Sequence, residues 1–238
     1  MIADSESGLG KRRDVVRLII GVVVFGSIWG MIEATLGGFL HLIIFPNKGA
    51  IMASIGMAIM GSALAIYKKP SMLPGIGAVA AAFKLLSVVF FGWPPASIHI
   101  INPAMAIFLE SLAFGIAAAF LMNKIAAKNS LVGVGTGVLA GFVSATAWVY
   151  FAIYVMNAPA YQRVITTVGA YIPNQGVVQA VFCGVFLPLG YMIGERIEAK
   201  TTPLLVSRLR YYATSAAIIT ACWAVAAVIT MVGTYAGT

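Results

Sequence analysis

Three ionisable side chains stand inside runs that are otherwise almost free of charge: Glu33 in "WGMIEATLGGFLH", Lys84 in "AAAFKLLSVVFFG" and Glu110 in "AMAIFLESLAFG". A carboxylate held among apolar groups can bind a cation, take up a proton or pair with an ammonium. A lone charge at the centre of a bilayer costs at least ~2.5–3.5 kcal/mol, so such residues turn toward a bundle interior and find partners. Lys84 with one of the glutamates is the obvious pair. Two carboxylates to one ammonium leave a negative charge that a proton or a cation from outside must meet. An ion pair that only fixes helix register is the plainer reading. The surplus carboxylate favours a functional one.

A second group of polar and aromatic residues lies toward one end of the same runs. His41 follows Glu33, and the loop "FGWPPASIHIINP" carries Trp93, His99 and Asn102, stiffened by Pro94 and Pro95. Trp148, Tyr150 and Tyr154 fall near the end of a later run, and Asn174, Gln175 and Gln179 begin the next. Together with the three charges, His41, Trp93, His99, Asn102, Tyr150 and Gln179 are candidate substrate-binding residues. Aromatic walls with a few polar groups suit a small ring-containing solute. Residue by residue, an interfacial aromatic belt explains the tryptophans and tyrosines better, but it is less able to explain His, Asn and Gln together.

Glu33, His41, His99 and Glu110 could supply imidazole and carboxylate to a transition metal, but their long spacings form no recognised ligand set, and no metal is expected. No HExxH, GxSxG or phosphate-binding glycine loop is present. Neither catalytic residues nor a cofactor are therefore expected, and the chain does not read as an enzyme. Cys183 and Cys222 sit within apolar runs and read as small packing residues rather than a disulfide.

The elements that must position these groups follow from composition. The chain of 238 residues is 61% hydrophobic and 9% charged, with apolar runs long enough to cross the ~30 Å hydrocarbon core. Backbone groups in lipid must be satisfied internally, and runs of this length fit helices rather than the alternating strands of a barrel. The reading is an all-α polytopic bundle. Apolar runs predict helices at about 15–45, 49–67, 72–92, 101–122, 131–156, 175–194 and 211–234. They organise as a polar tail (1–14), a six-helix membrane core (15–198), and a charged linker with an additional C-terminal helix (199–238). The tail is too polar, and the run after it too long, for a cleaved signal.

By rise along these predicted helices, Glu33 lies roughly 18 Å from the outer end of the first, Lys84 roughly 18 Å from the inner end of the third, and Glu110 roughly 14 Å from the outer end of the fourth. All three reach one depth. The sense of inner and outer comes from Lys and Arg. With a cytoplasmic N-terminus, Lys11, Arg12, Arg13, Arg17, Lys68, Lys69, Lys124, Lys128, Arg196, Lys200, Arg208 and Arg210 lie inside, and only Lys48 and Arg163 outside. The expected location is the cell (inner) membrane. The net charge of +8 is thereby a matter of topology and calls for no nucleic acid. Gly133, Gly137 and Gly141, spaced by four, offer a narrow face whose first use is packing within the bundle.

The six-helix core, with small-residue faces at Gly26 and Gly30 in "GSIWG" and at Ala78 and Ala82 in "AVAAA", resembles the membrane-embedded substrate-binding S component of energy-coupling factor transporters. The stretches "GIGAVAAAFKLLSVVFFG" and "INPAMAIFLESLAFG" share the cadence of that group, over about residues 15–198. The resemblance implies capture of a vitamin-like or micronutrient solute from outside. It implies as partners a transmembrane coupling subunit and two ATPases. In that family an AxxxA face of the first helix docks onto the coupling subunit, whereas this chain has GxxxG there. A seventh helix is also added to the family's six, which would suit a stand-alone relative. The alternatives are a proton- or cation-coupled carrier or channel subunit using Glu33, Lys84 and Glu110, and a non-catalytic subunit of a membrane complex.

Overall fold

The computed structural model of the chain describes residues 2–37, 39–40, 47–126, 129–157, 168–205 and 208–235. Seven helices among them are long and apolar enough to cross a membrane: Asp14–Gly37, Lys48–Tyr67, Pro70–Phe91, Ile98–Ile125, Ser130–Met156, Val168–Ala199 and Leu209–Val232, hereafter the first to seventh spans. The described residues form no strand. The chain is an all-α, multi-pass bundle, as the length and continuity of its apolar runs predict.

Helix ends differ from the hydropathy pattern in a consistent way. The first helix reaches back to Ile2, the sixth continues to Leu205 and the seventh begins at Arg208, so much of the charged connection extends the sixth helix beyond the apolar stretch. Charged residues end a hydropathy run without ending a helix, because Glu, Arg and Lys are good helix formers in water. At its other end the sixth span starts at Val168, ahead of "IPNQ". Pro173 is accommodated there in a wide turn over Ile172–Gly176, where the helix does not need the missing N–H.

The second span is the axis of the bundle. Met57, Met60 and Leu64 are fully buried in one cluster with Trp29 of the first span, Leu73 and Ile76 of the third and Phe114 of the fourth. Lipid tails are as apolar as these side chains, so close van der Waals contact rather than water exclusion holds the helices together. Small residues permit that contact. Gly190 and Gly194 of the sixth span lie directly on Ala58 and Ser62, and the Ser62 hydroxyl donates 2.7 Å to the Gly190 carbonyl. Gly137 and Gly141 face Cys183 in the same manner, so the glycine stripe of the fifth span is used inside the bundle. Gly56 leaves room for the Trp29 indole, which no larger residue would do.

The first span crosses the third through Gly26 and Gly30, which lie against Val79 and Phe83; Ala78 points outward. The seventh span covers the same neighbourhood. Trp223 lies 4.0 Å, ring centre to ring centre, from Phe83 and donates from Nε1 to the Ser27 hydroxyl at 3.2 Å, with Cys222 and Ala226 buried beside it. Both cysteines are free and buried.

Candidate functional site

Glu33 and Lys84 meet. The Lys84 ammonium lies 3.3 Å from the Glu33 carboxylate, and the two side chains keep 19% and 10% of their surface accessible. Each charge sits where its helix leaves α geometry. Glu33 opens a π-helical turn over Glu33–Gly37, and Lys84 is the middle residue of a 3-10 turn over Phe83–Leu85. Such irregular turns inside a helix alter the direction of side chains and free carbonyls, and they recur at functional sites. Thr35 takes up two of the carbonyls, donating to Met31 at 2.9 Å and Ile32 at 3.3 Å. Gly37 gives the carboxylate its space: a Cβ there would stand 3.4 Å from Glu33 Oε2, with the Met52 methyl at 3.8 Å.

Glu110, on the fourth span, is buried to the same extent as Glu33, at 8% accessible. It lies within electrostatic reach of Glu33, and of Tyr171 and Cys183 on the sixth span. Unlike Glu33, it forms no hydrogen bond or ion pair with another described residue. The three intramembrane charges therefore gather in one region as one compensated pair and one carboxyl without a partner among the described residues. Lys84 stands roughly 10 Å of helix rise from the Phe91 end of its span.

Polar side chains continue from this layer. The Asn102 carbonyl oxygen accepts from the Trp148 indole at 2.8 Å, and that ring lies 5.3 Å from Tyr171. Gln179 is buried and donates to the Ser144 hydroxyl at 3.2 Å, which in turn donates to the Gly141 carbonyl. Asn102 and Gln179 are thus bound into the fourth, fifth and sixth spans. Trp93, on the exposed connection, and His99, exposed in the first turn of the fourth span, lie together with ring centres 5.8 Å apart. Tyr150 stacks on Tyr154 with both rings on the outward surface, 50% and 69% exposed, the placement of a lipid-facing aromatic. His41 lies outside the described residues.

Two contributors escaped the reading of the sequence. Tyr171 sits in a stretch that reads as a loop, yet it joins Trp148 to the region of Glu110. Ser144, in "FVSATAW", carries no sequence signal beyond being a hydroxyl in an apolar run. Among the described residues no three His, Cys, Asp or Glu side chains converge as metal ligands would. The chain matches no protein-family model, no curated protein and no solved structure, so the site stands on its own geometry.

Proposed function

We propose that this chain is a membrane transport protein for a small solute, with the Glu33, Lys84 and Glu110 layer as its binding floor. The observation that carries the reading is the unequal treatment of the two carboxylates. Glu33 is neutralised by Lys84 at 3.3 Å, while Glu110, equally buried and close enough to feel Glu33, has no counter-charge among the described residues. A register device needs only the pair. An additional buried carboxyl is costly unless something that comes and goes completes it. The Asn102, Trp148 and Tyr171 group supplies an amide and two aromatic rings beside it, which is the mix of groups that orients a small organic solute.

In the form suggested by the resemblance, the chain would be the vitamin- or micronutrient-binding component of an uptake system in the cell membrane, entered from the outer face and energised by a separate coupling subunit with ATPases. A second reading is favoured by one contact. The seventh span lies on the first and third spans, through Trp223 on Phe83 and Ser27, and the Gly26 and Gly30 face that the resemblance would offer to a coupling subunit is itself packed on Val79 and Phe83. A covered face suits a stand-alone carrier that draws on a proton or cation gradient through Glu110.

Native mass spectrometry of the purified protein tests the site under either form. A co-purified small molecule, present on the wild type and absent from folded Glu110→Gln, is the expected result. Retention of the same molecule by Glu110→Gln would overturn the assignment of the floor.

A further inference from the structure

At the opposite end of the bundle from the Trp93 loop, the first and second spans enclose a groove of about 400 Å³, lined by Asp14, Val15, Arg17, Leu18, Ile66, Tyr67 and Lys69. It lies at the membrane boundary, because the first span starts at Asp14 and the second ends at Tyr67. Its walls are of two kinds. Val15, Leu18 and Ile66 are apolar and lie within the spans, while Asp14, Arg17 and Lys69 are charged and fall at or near the span ends.

Neither Arg17 nor Lys69 is matched by a carboxylate among the described residues. Arg17 lies over the Tyr67 ring at 5.7 Å, and its backbone carbonyl accepts from the Tyr211 hydroxyl at 3.4 Å, so the residue is anchored from two sides. Yet its Nε is buried without a hydrogen-bond partner among the described residues. Asp14, one helical turn away, forms no ion pair with it within 4.0 Å. Lys68 and Lys69 divide their tasks. Lys68 takes a left-handed conformation (φ 52°) that closes the second span by an N–H bond to Leu64, and its ammonium is engaged by Glu198 at 3.6 Å and by the Tyr191 hydroxyl at 3.5 Å. The extended Lys69 that follows lines the groove and has no ion-pair partner among the described residues.

We propose that this groove is a binding site for an anionic phospholipid, its phosphate between Arg17 and Lys69 and an acyl chain along Val15, Leu18 and Ile66. Charge and shape both favour that occupant. The lining carries two cations against one carboxylate, a net positive charge opposite a phosphodiester. Guanidinium and ammonium are the groups that bind phosphate. Basic pockets between spans at the membrane boundary are where lipid head groups bind. The apolar continuation into the span region is useless to a free anion and suits an acyl chain. This site stands apart from the Glu33, Lys84 and Glu110 layer and does not depend on the transport reading.

The test uses the full chain in detergent with an equimolar mixture of phosphatidylglycerol and phosphatidylcholine, reading bound lipid by native mass spectrometry. The wild type should retain phosphatidylglycerol in preference. Lys69→Gln and Arg17→Gln should each lower that preference about fivefold, the effect of one basic residue at an anionic lipid. Asp14→Asn should raise it, by removing the opposing charge. Lys124→Gln, an exposed cation elsewhere on the bundle, should leave it unchanged. Arg17 also supports Tyr67, so Lys69→Gln, which removes only an exposed ammonium, decides the matter if Arg17→Gln does not fold. An unchanged preference in Lys69→Gln, or an equal loss in Lys124→Gln, would overturn the site. Displacement of the lipid by millimolar inorganic phosphate would assign the groove to a free anion and overturn the lipid.

Discussion

Removing both members of the Glu33 and Lys84 pair separates structure from function more cleanly than removing either. At 3.3 Å and an effective dielectric constant of about 20, the two charges attract by about 5 kcal/mol. Their desolvation opposes this, so the net worth of the pair is far smaller than its Coulomb energy. Taking away one partner is a different matter, because the survivor keeps its desolvation and loses its compensation, at a cost of about 3–5 kcal/mol. For a chain of this length, that is a fall of roughly 10 °C in the thermal midpoint. Lys84→Met leaves Glu33 and Glu110 as two uncompensated carboxylates in one region and should be the worse single change. Glu33→Gln leaves Glu110 available to take over Lys84 and should be the milder. The double variant Glu33→Gln with Lys84→Met should return to within about 1 kcal/mol of the wild type, since no unpaired member remains. Tryptophan fluorescence melts of detergent-solubilised protein read these midpoints, and cellular uptake or growth reads the function of the same variants. A binding floor predicts a stable double variant that no longer transports. Full transport by that variant would refute the functional reading, and failure of the double change to restore the midpoint would refute the pairing itself.

Two further outcomes follow from the fold. With native cysteines replaced by serine, a cysteine at Ala96 should react with an impermeant maleimide added to intact cells, and one at Ser71 only after the membrane is opened, as the Lys and Arg asymmetry requires; the reverse pattern would invert the orientation. Trp223→Ala removes both the ring contact with Phe83 and the bond to Ser27, and should lower stability by roughly 1–2 kcal/mol, whereas Trp223→Phe keeps a ring on Phe83 and should cost less. Equal losses in the two variants would show that the indole bond, rather than packing, holds the seventh span.

What the sequence made legible is what bilayer physics makes obligatory. A chain that must satisfy its backbone within lipid reveals its spans through uninterrupted apolar length, and a buried charge must find a partner, so both the seven helices and the meeting of Lys84 with a glutamate follow from composition and depth. Depth alone did not choose between Glu33 and Glu110 as the partner of Lys84. That choice depends on rotation about each helix axis, which the π-helical turn at Glu33 and the 3-10 turn at Lys84 set locally, and a regular helical repeat carries no trace of either. The polar groups show the same division. Asn102 and Trp148 are both visible as unusual residues in an apolar context, but their bond joins the fourth span to the fifth, and residue type alone does not state which faces of two helices meet. Tyr150 shows the converse: its residue type suits a site, and its rotation about the fifth helix sends it to the outward surface, stacked on Tyr154. The angular placement of a side chain decides whether a polar or aromatic residue in a span serves a solute or the lipid, and that angle comes from the small residues opposite it. In this chain, Gly26, Gly30 and Gly37 bear on the angle at Glu33, and Gly137 and Gly141 on the angles at Ser144 and Gln179. Gly26, Gly30, Gly137 and Gly141 are the positions where a single added methyl group should displace the candidate site without touching any of its charges.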